Sequence, residues 1–153
     1  TYTLARVRNT FPGFNNGFEF SALHDQRHEF KTVHSYEYEN WRFAATFVFA
    51  SGKPFTEPAG QYSIELLDGR TNNYISVGAK NAARLPAYHR LDLSVHYLHK
   101  AAQFDMDFGL SIFNFYDRKN TWYREYNFTE KPPVVTEVQY LGLTPNLSVA
   151  IEF

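Results

Sequence analysis

His24, Asp25 and His28 are the first residues whose types could do chemistry together, since two imidazoles and a carboxylate are the makings of a metal site. A histidine pair spaced i,i+4 converges only on a helix, and this stretch leads into an extended run. Loop-to-strand hydrogen bonding, with Asp25 pairing Arg27, is the expected use. Asp105 and Asp107 fall on one side of an alternating segment, as an acid–base carboxylate pair would, but such a pair needs a desolvated pocket and a partner group. Acids on the wet face of a strand are the simpler reading. Trp122-Tyr123-Arg124-Glu125-Tyr126 interleaves rings with charge, a pattern that stacks bases or sugars and that equally suits a membrane interface, where Trp and Tyr keep an oily body and a wet tip. We read it as an interface girdle. No serine stands in a nucleophile motif and no glycine-rich loop could cradle phosphate. No enzyme, no metal and no cofactor is expected.

These residues sit in a chain of unusual aromatic content. Of 153 residues, 15 are Phe and 11 are Tyr, an aromatic share of 18%, beside a mean hydropathy of -0.44. Aromatics favour strands, so an all-β chain is expected. A membrane barrel places an apolar band outside, aromatic girdles at its rims and polar residues inside, which reconciles many rings with low hydropathy. The net charge of -1 is spread along the chain, which argues against a nucleic-acid partner. The absence of cysteine excludes disulfides and thiolate metal sites. No run approaches the ~18 apolar residues of a membrane helix. Thr1-Tyr2-Thr3-Leu4 already reads as strand, so the chain is expected to be a carboxy-terminal segment of a larger fold.

Alternation places the strands. Residues 1–9 form a short one, and Phe11-Pro12-Gly13-Phe14-Asn15-Asn16-Gly17 is turn chemistry. His28–Tyr38 and Trp41–Ala50 make a hairpin through Glu39-Asn40, with Trp41, Phe43, Ala45, Phe47 and Phe49 on one face. Residues 51–87 are a long connection holding a small hairpin around a two-residue Asp68-Gly69 turn. Strands return over 88–98 and 104–112, then over 121–128 after a turn at Asn114–Asn120. A break at Pro132-Pro133 precedes a last strand that could run from Val135 to Phe153, although Pro145 interrupts it. The closing run alternates cleanly, with Leu147, Val149, Ile151 and Phe153 opposite Ser148, Ala150 and Glu152. The sum is about seven strands without a helix.

The stretches YTLARVRNTFPGFNNGFEF, HDQRHEF, WRFAATFVFASGKPFT, RLPAYHRLDLSVHY, LSIFNFYDRKNTW and LGLTPNLSVAIEF stand in an order that resembles the carboxy-terminal β-barrel segment of TonB-dependent outer-membrane receptors, especially the Bacteroidota type. The most specific pieces are RLDLSVHY followed by LSIFNFYDRKN, and the terminal strand. Gln61–Lys80 departs from the family, and its plug domain, its TonB-contacting segment and most of its roughly 22 strands lie outside this chain.

The resemblance implies an antiparallel transmembrane β-barrel in the bacterial cell outer membrane, of which this chain supplies about seven strands and which imports a scarce large solute of siderophore, glycan or peptide class. Arg90, Asp92, Asp105 and Asp107 would face the lumen, while Phe43, Phe47, Phe49, Leu93, Val95, Leu110, Ile112, Val149 and Ile151 would face lipid. Phe153 would serve as the terminal assembly signal. Implied partners are the remaining strands and plug of the same receptor, outer-membrane lipid and, through the plug part, the TonB complex. A surface lipoprotein stays open as a further partner. With Phe153 at the periplasmic end, counting seven strands back puts Asn114–Asn120 and the 51–87 connection on the periplasmic side, and Glu39-Asn40, His99–Gln103 and Pro132-Pro133 outside. Two other readings are a receptor-like barrel kept as a structural or assembly subunit, and a soluble β-sandwich that binds carbohydrate.

Overall fold

The computed structural model describes residues 1–130 and 133–153; its regular elements are strands, apart from one 3-10 turn at Asn15–Gly17. In chain order they are β1 (Tyr2–Leu4), β2 (Arg8–Asn9), β3 (Phe20–Ser21), β4 (His28–Tyr38), β5 (Trp41–Ala50), β6 (Pro54–Phe55), β7 (Pro58–Glu65), β8 (Thr71–Val77), β9 (Ala83–Arg84), β10 (Tyr88–Lys100), β11 (Asp105–Phe113), β12 (Thr121–Asn127), β13 (Val134–Gln139) and β14 (Thr144–Glu152).

One antiparallel sheet dominates, in the order β1-β4-β5-β10-β11-β14, and it stays open, with β1 and β14 as its edges. Its register carries the alternation across neighbouring strands. Tyr36, Phe43, Val95, Leu110 and Leu147 form one cross-strand row, and Tyr38, Trp41, Tyr97, Phe108 and Val149 form the next. A slip of one residue anywhere would turn a strand's rings to the opposite face. All nine residues expected on the apolar face lie on it.

Of the seven main strands expected, six form the main sheet. Residues 121–127 cross nothing, because β12 pairs only with β13 in a hairpin set off from the main sheet. Its neck is zipped by three contacts: Tyr140 N–H donates to Asn120 O at 2.9 Å, the Asn114 side-chain amide to Leu141 O at 3.2 Å, and Leu143 N–H to the Asp117 carboxylate at 2.9 Å. The slot beside β11 is therefore filled by β14, which begins at Thr144 rather than Val135. Of the expected Pro132-Pro133 break, Pro132 lies outside the described residues.

The other two long connections are built alike. Ala5 N–H donates to Arg27 O and Ala22 N–H to Val7 O, closing residues 5–27 at the base. β6 pairs with β9 to close 51–87, and the β7–β8 hairpin stands beyond it. That hairpin turns as expected near Asp68-Gly69, but through a wider loop: Gly69 N–H donates to Leu66 O, Gly69 takes φ 81°, and Leu66 N–H donates to Arg70 O. Only a residue free of a Cβ clash adopts that φ readily.

All three long connections leave the same end of the sheet. The opposite end carries the two tight turns, Glu39-Asn40 between β4 and β5 and Ala101–Phe104 between β10 and β11. Glu152 pairs with Asp105, so Phe153 stands at the tight-turn end. The strand count had put Phe153 opposite His99–Gln103 and Glu39-Asn40; they share one end, because the strand counted at 121–128 does not cross.

Candidate functional site

The sheet has two chemically different faces, and among the described residues neither is covered by a second sheet. Among the described residues the buried apolar side chains are Phe20, Ala22, Ala50 and Pro54, all near the ends where the long connections leave. The apolar face lies open: Phe43 is 43% exposed, Val149 61% and Leu147 79%. From Tyr97 to His89 along β10 the face spans eight residues, about 27 Å at ~3.4 Å per residue. Aromatics mark both limits. Trp41 packs on Tyr97 with centroids 4.7 Å apart at the tight-turn end, and the Tyr116 hydroxyl lies 2.8 Å from His89 Nδ1 at the other.

The polar face is stitched by ion pairs. Arg90, Asp92, Asp105 and Asp107 all lie on it, as expected, but in two separate groups. Arg90 Nε stands 2.9 Å from Asp92 Oδ2, its Nη1 donates to the Tyr88 hydroxyl, and its guanidinium lies 4.0 Å over the Phe113 ring. Asp92 also accepts from Asn114 N–H at 2.9 Å, which holds the turn after β11. Four residues beyond Asp92 on β10, His96 Nδ1 faces Asp107 of β11 at 3.0 Å, and Asp107 also accepts from Arg42 at 2.8 Å. Asp105 stands opposite Lys100 and Glu152. Asp105 and Asp107 therefore do not converge on a common atom. Gly109 leaves room for this group, since a Cβ there would meet the Ser148 hydroxyl at 2.3 Å and the His96 ring at 2.7 Å.

Two knots at the long-connection end escaped the sequence reading. In the first, Asp25 is fully buried, accepts from Val7 N–H at 2.8 Å and pairs with Arg84, not with Arg27 as expected. The same guanidinium donates to Asp25 O at 2.7 Å and Gly52 O at 3.0 Å, so Arg84 ties the first long connection to the second. The Val7 bond, then the Arg84 contacts, hold the Asp25 carboxyl below the usual carboxylate range against the opposing effect of burial. With Asp25 so engaged, His24 and His28 have no shared carboxylate, and no metal-type cluster occurs among the described residues. In the second knot the Asn120 side-chain amide donates to His89 O at 2.9 Å and accepts from His89 N–H at 3.1 Å. It stands in for a neighbouring strand where the β10–β11 ladder has ended. Neither partner is marked by periodicity, because a side chain in a loop is placed by the whole fold.

Between the knots and the β12–β13 hairpin, the polar face opens into a cleft of about 350 Å³. Trp122 and Tyr140 line it together with polar-face residues of β4, β5 and β10. Trp122 was expected in an interface girdle; it lies instead on the polar side, because its hairpin leaves the sheet.

The chain matches no family model, no curated protein and no solved structure.

Proposed function

We propose that the sheet is part of the wall of an outer-membrane β-barrel of the TonB-dependent receptor type, which imports a scarce large solute. The observation that carries this reading is the pairing of two asymmetries in one sheet: apolar against polar faces, and long connections against tight turns at its ends. Outer-membrane barrels combine an outward apolar band about 25 Å tall, aromatic rims, short periplasmic turns and longer outer loops. On this reading Phe153, Glu39-Asn40 and Ala101–Phe104 face the periplasm and the three long connections face outward. Arg90, Asp92, Asp105 and Asp107 then look into the lumen. The open edges β1 and β14 pair with further strands, because lipid cannot satisfy bare backbone groups.

A soluble sandwich would cover the apolar face with a second sheet, and among the described residues none lies against it. The test is fractionation of the natural protein. Recovery in the outer membrane, with a heat-dependent gel mobility typical of barrels, is expected; recovery in the soluble fraction without detergent would overturn the reading. Capture of the periplasmic domain of TonB by the purified protein separates an importer from a barrel kept only as an assembly subunit.

A further inference from the structure

The apolar face carries one side chain that hydrocarbon does not suit. Along β4 that face presents Phe30, Thr32, His34, Tyr36 and Tyr38, set opposite Phe49, Phe47, Ala45, Phe43 and Trp41 of β5. His34 is the middle one, and its cross-strand row continues through Ala45 and Leu93 to Ile112. On the barrel reading it stands near the centre of the apolar band, where ionisable side chains are rare and mark functional contacts. It is exposed, and among the described residues only one of its ring nitrogens is engaged: Nε2 lies 2.9 Å from the Thr32 hydroxyl oxygen. The one small residue in the β5 series, Ala45, faces it, so the sheet is notched there. The depression, about 620 Å³, is lined by His34, Tyr36, Phe43, Ala45, Leu93 and Val95 among others.

Three occupants could meet the free Nδ1. An acyl chain fills the notch but brings no polar atom to that depth. A neighbouring strand of the same barrel lies beside β4, at the margin of the notch and not over it. A second copy related by a twofold axis along the membrane normal presents every residue at its own depth, which sets His34 against His34. That pair satisfies itself. A neutral imidazole has one donor and one acceptor nitrogen, and a hydroxyl takes either role. With the Thr32 hydroxyl accepting in one copy and donating in the other, the second Nδ1 donates to the first. The shapes are reciprocal as well: Tyr36, 64% exposed, stands beside the notch, so each copy's ring can rest over the other's Ala45.

We infer that the apolar face around Thr32, His34, Tyr36 and Ala45 is the contact surface of a twofold pair of this chain within the membrane. The inference rests on the reading of that face as lipid-facing and adds an assembly to it. Lipid supplies no hydrophobic force between two barrels, so the packing into the notch and the imidazole contact hold the pair.

The test uses the natural protein. A dimer is expected by sedimentation in mild detergent. The photo-reactive p-benzoylphenylalanine in place of Tyr36 should join two copies on irradiation of cells, whereas the same group in place of Phe108, three strands away on β11, should not. His34→Leu removes the polar ring and keeps apolar surface. It is expected to weaken dimerisation about tenfold, the loss of one polar contact in lipid, while the yield of folded barrel holds. A monomer with no cross-link between copies, a cross-link from position 36 to a different protein, or His34→Leu dimerising as before would each overturn the pair. A fall in folded yield for His34→Leu, with the unmodified protein monomeric, would give His34 a partner inside its own barrel and overturn the pair as well. A monomer recovered in the outer membrane leaves the barrel reading standing; a His34-dependent dimer recovered in the soluble fraction would uphold the pair and remove the barrel.

Discussion

At the scale of single residues, the connections depend on a few side chains that have no freedom to change. The Asp25 carboxylate satisfies the Val7 N–H and the Arg84 guanidinium at once. A carboxylate more acidic in the folded chain than in the unfolded one adds stability above its unfolded pKa of about 3.9. That stability is lost as the pH falls through the lower folded value. Amide protection at Val7 and Ala22, corrected for intrinsic exchange, should therefore be level above about pH 5 and decline below about pH 4, whereas Asp25→Asn should flatten the dependence. Asp25→Ala should open the connection by roughly 1–3 kcal/mol, since it leaves a buried donor without an acceptor. Gly52 is constrained differently: a Cβ would fall 1.6 Å from Leu85 O, a backbone atom with nowhere to move. Gly52→Ala should cost about 1–3 kcal/mol by overpacking, while Gly60→Ala, which meets nothing within 4 Å, should be near neutral. Urea unfolding of the refolded protein checks both, and equal effects would remove the close approach from the account.

At the scale of elements, β10 shows how one strand serves two environments. Leu93 lies in the apolar row with Ala45 and Ile112, and Ser94 in the polar row with Ala44 and Ser111. If the apolar face meets lipid, Leu93→Arg should lower barrel stability by about 2–4 kcal/mol, and Ser94→Arg by clearly less. Equal losses in detergent refolding would sink the assignment of faces. β14 ends in Phe153, fully exposed one residue past the Glu152–Asp105 pair. Burying its ring at a membrane rim is worth roughly 1.5–3 kcal/mol, the same scale as Phe47 elsewhere on the face. Phe153→Ala should nevertheless reduce folded barrel in outer-membrane fractions well beyond Phe47→Ala, if the terminal ring is read during assembly. Similar cellular yields for the two variants would leave Phe153 an ordinary rim residue.

At the scale of the whole molecule, an open sheet with a bare apolar face is not a finished fold in water. Among the described residues the buried apolar side chains sit at the bases of the long connections, and the β1 and β14 edges present unpaired N–H and C=O groups. The 153-residue chain expressed alone should associate or precipitate without detergent. A compact, detergent-free monomer in size-exclusion chromatography, with dispersed amide signals, would show that the sheet completes itself.

Strand identity and the two faces were legible in the sequence. β4 and β5 run between the residues that alternation marks, and every residue expected on the apolar face or the polar face lies there, because a period of two is a local property of each strand. Strand partners were not legible. Thr121–Asn127 alternates as well as a crossing strand would, yet it is pinched off by Asn114, Asp117 and Asn120, whose contacts reach 20 or more residues along the chain. That one excursion decided which end carries Phe153 and set all three long connections against the tight turns. It also carried Trp122 from the expected rim to the cleft. The partners of Asp25, Arg84 and Asn120 were equally hidden, since each is a loop side chain meeting backbone from a distant segment. Periodicity determines which way a side chain points from its own strand; only the closed set of hydrogen bonds decides which strand, and which end of the sheet, it stands beside.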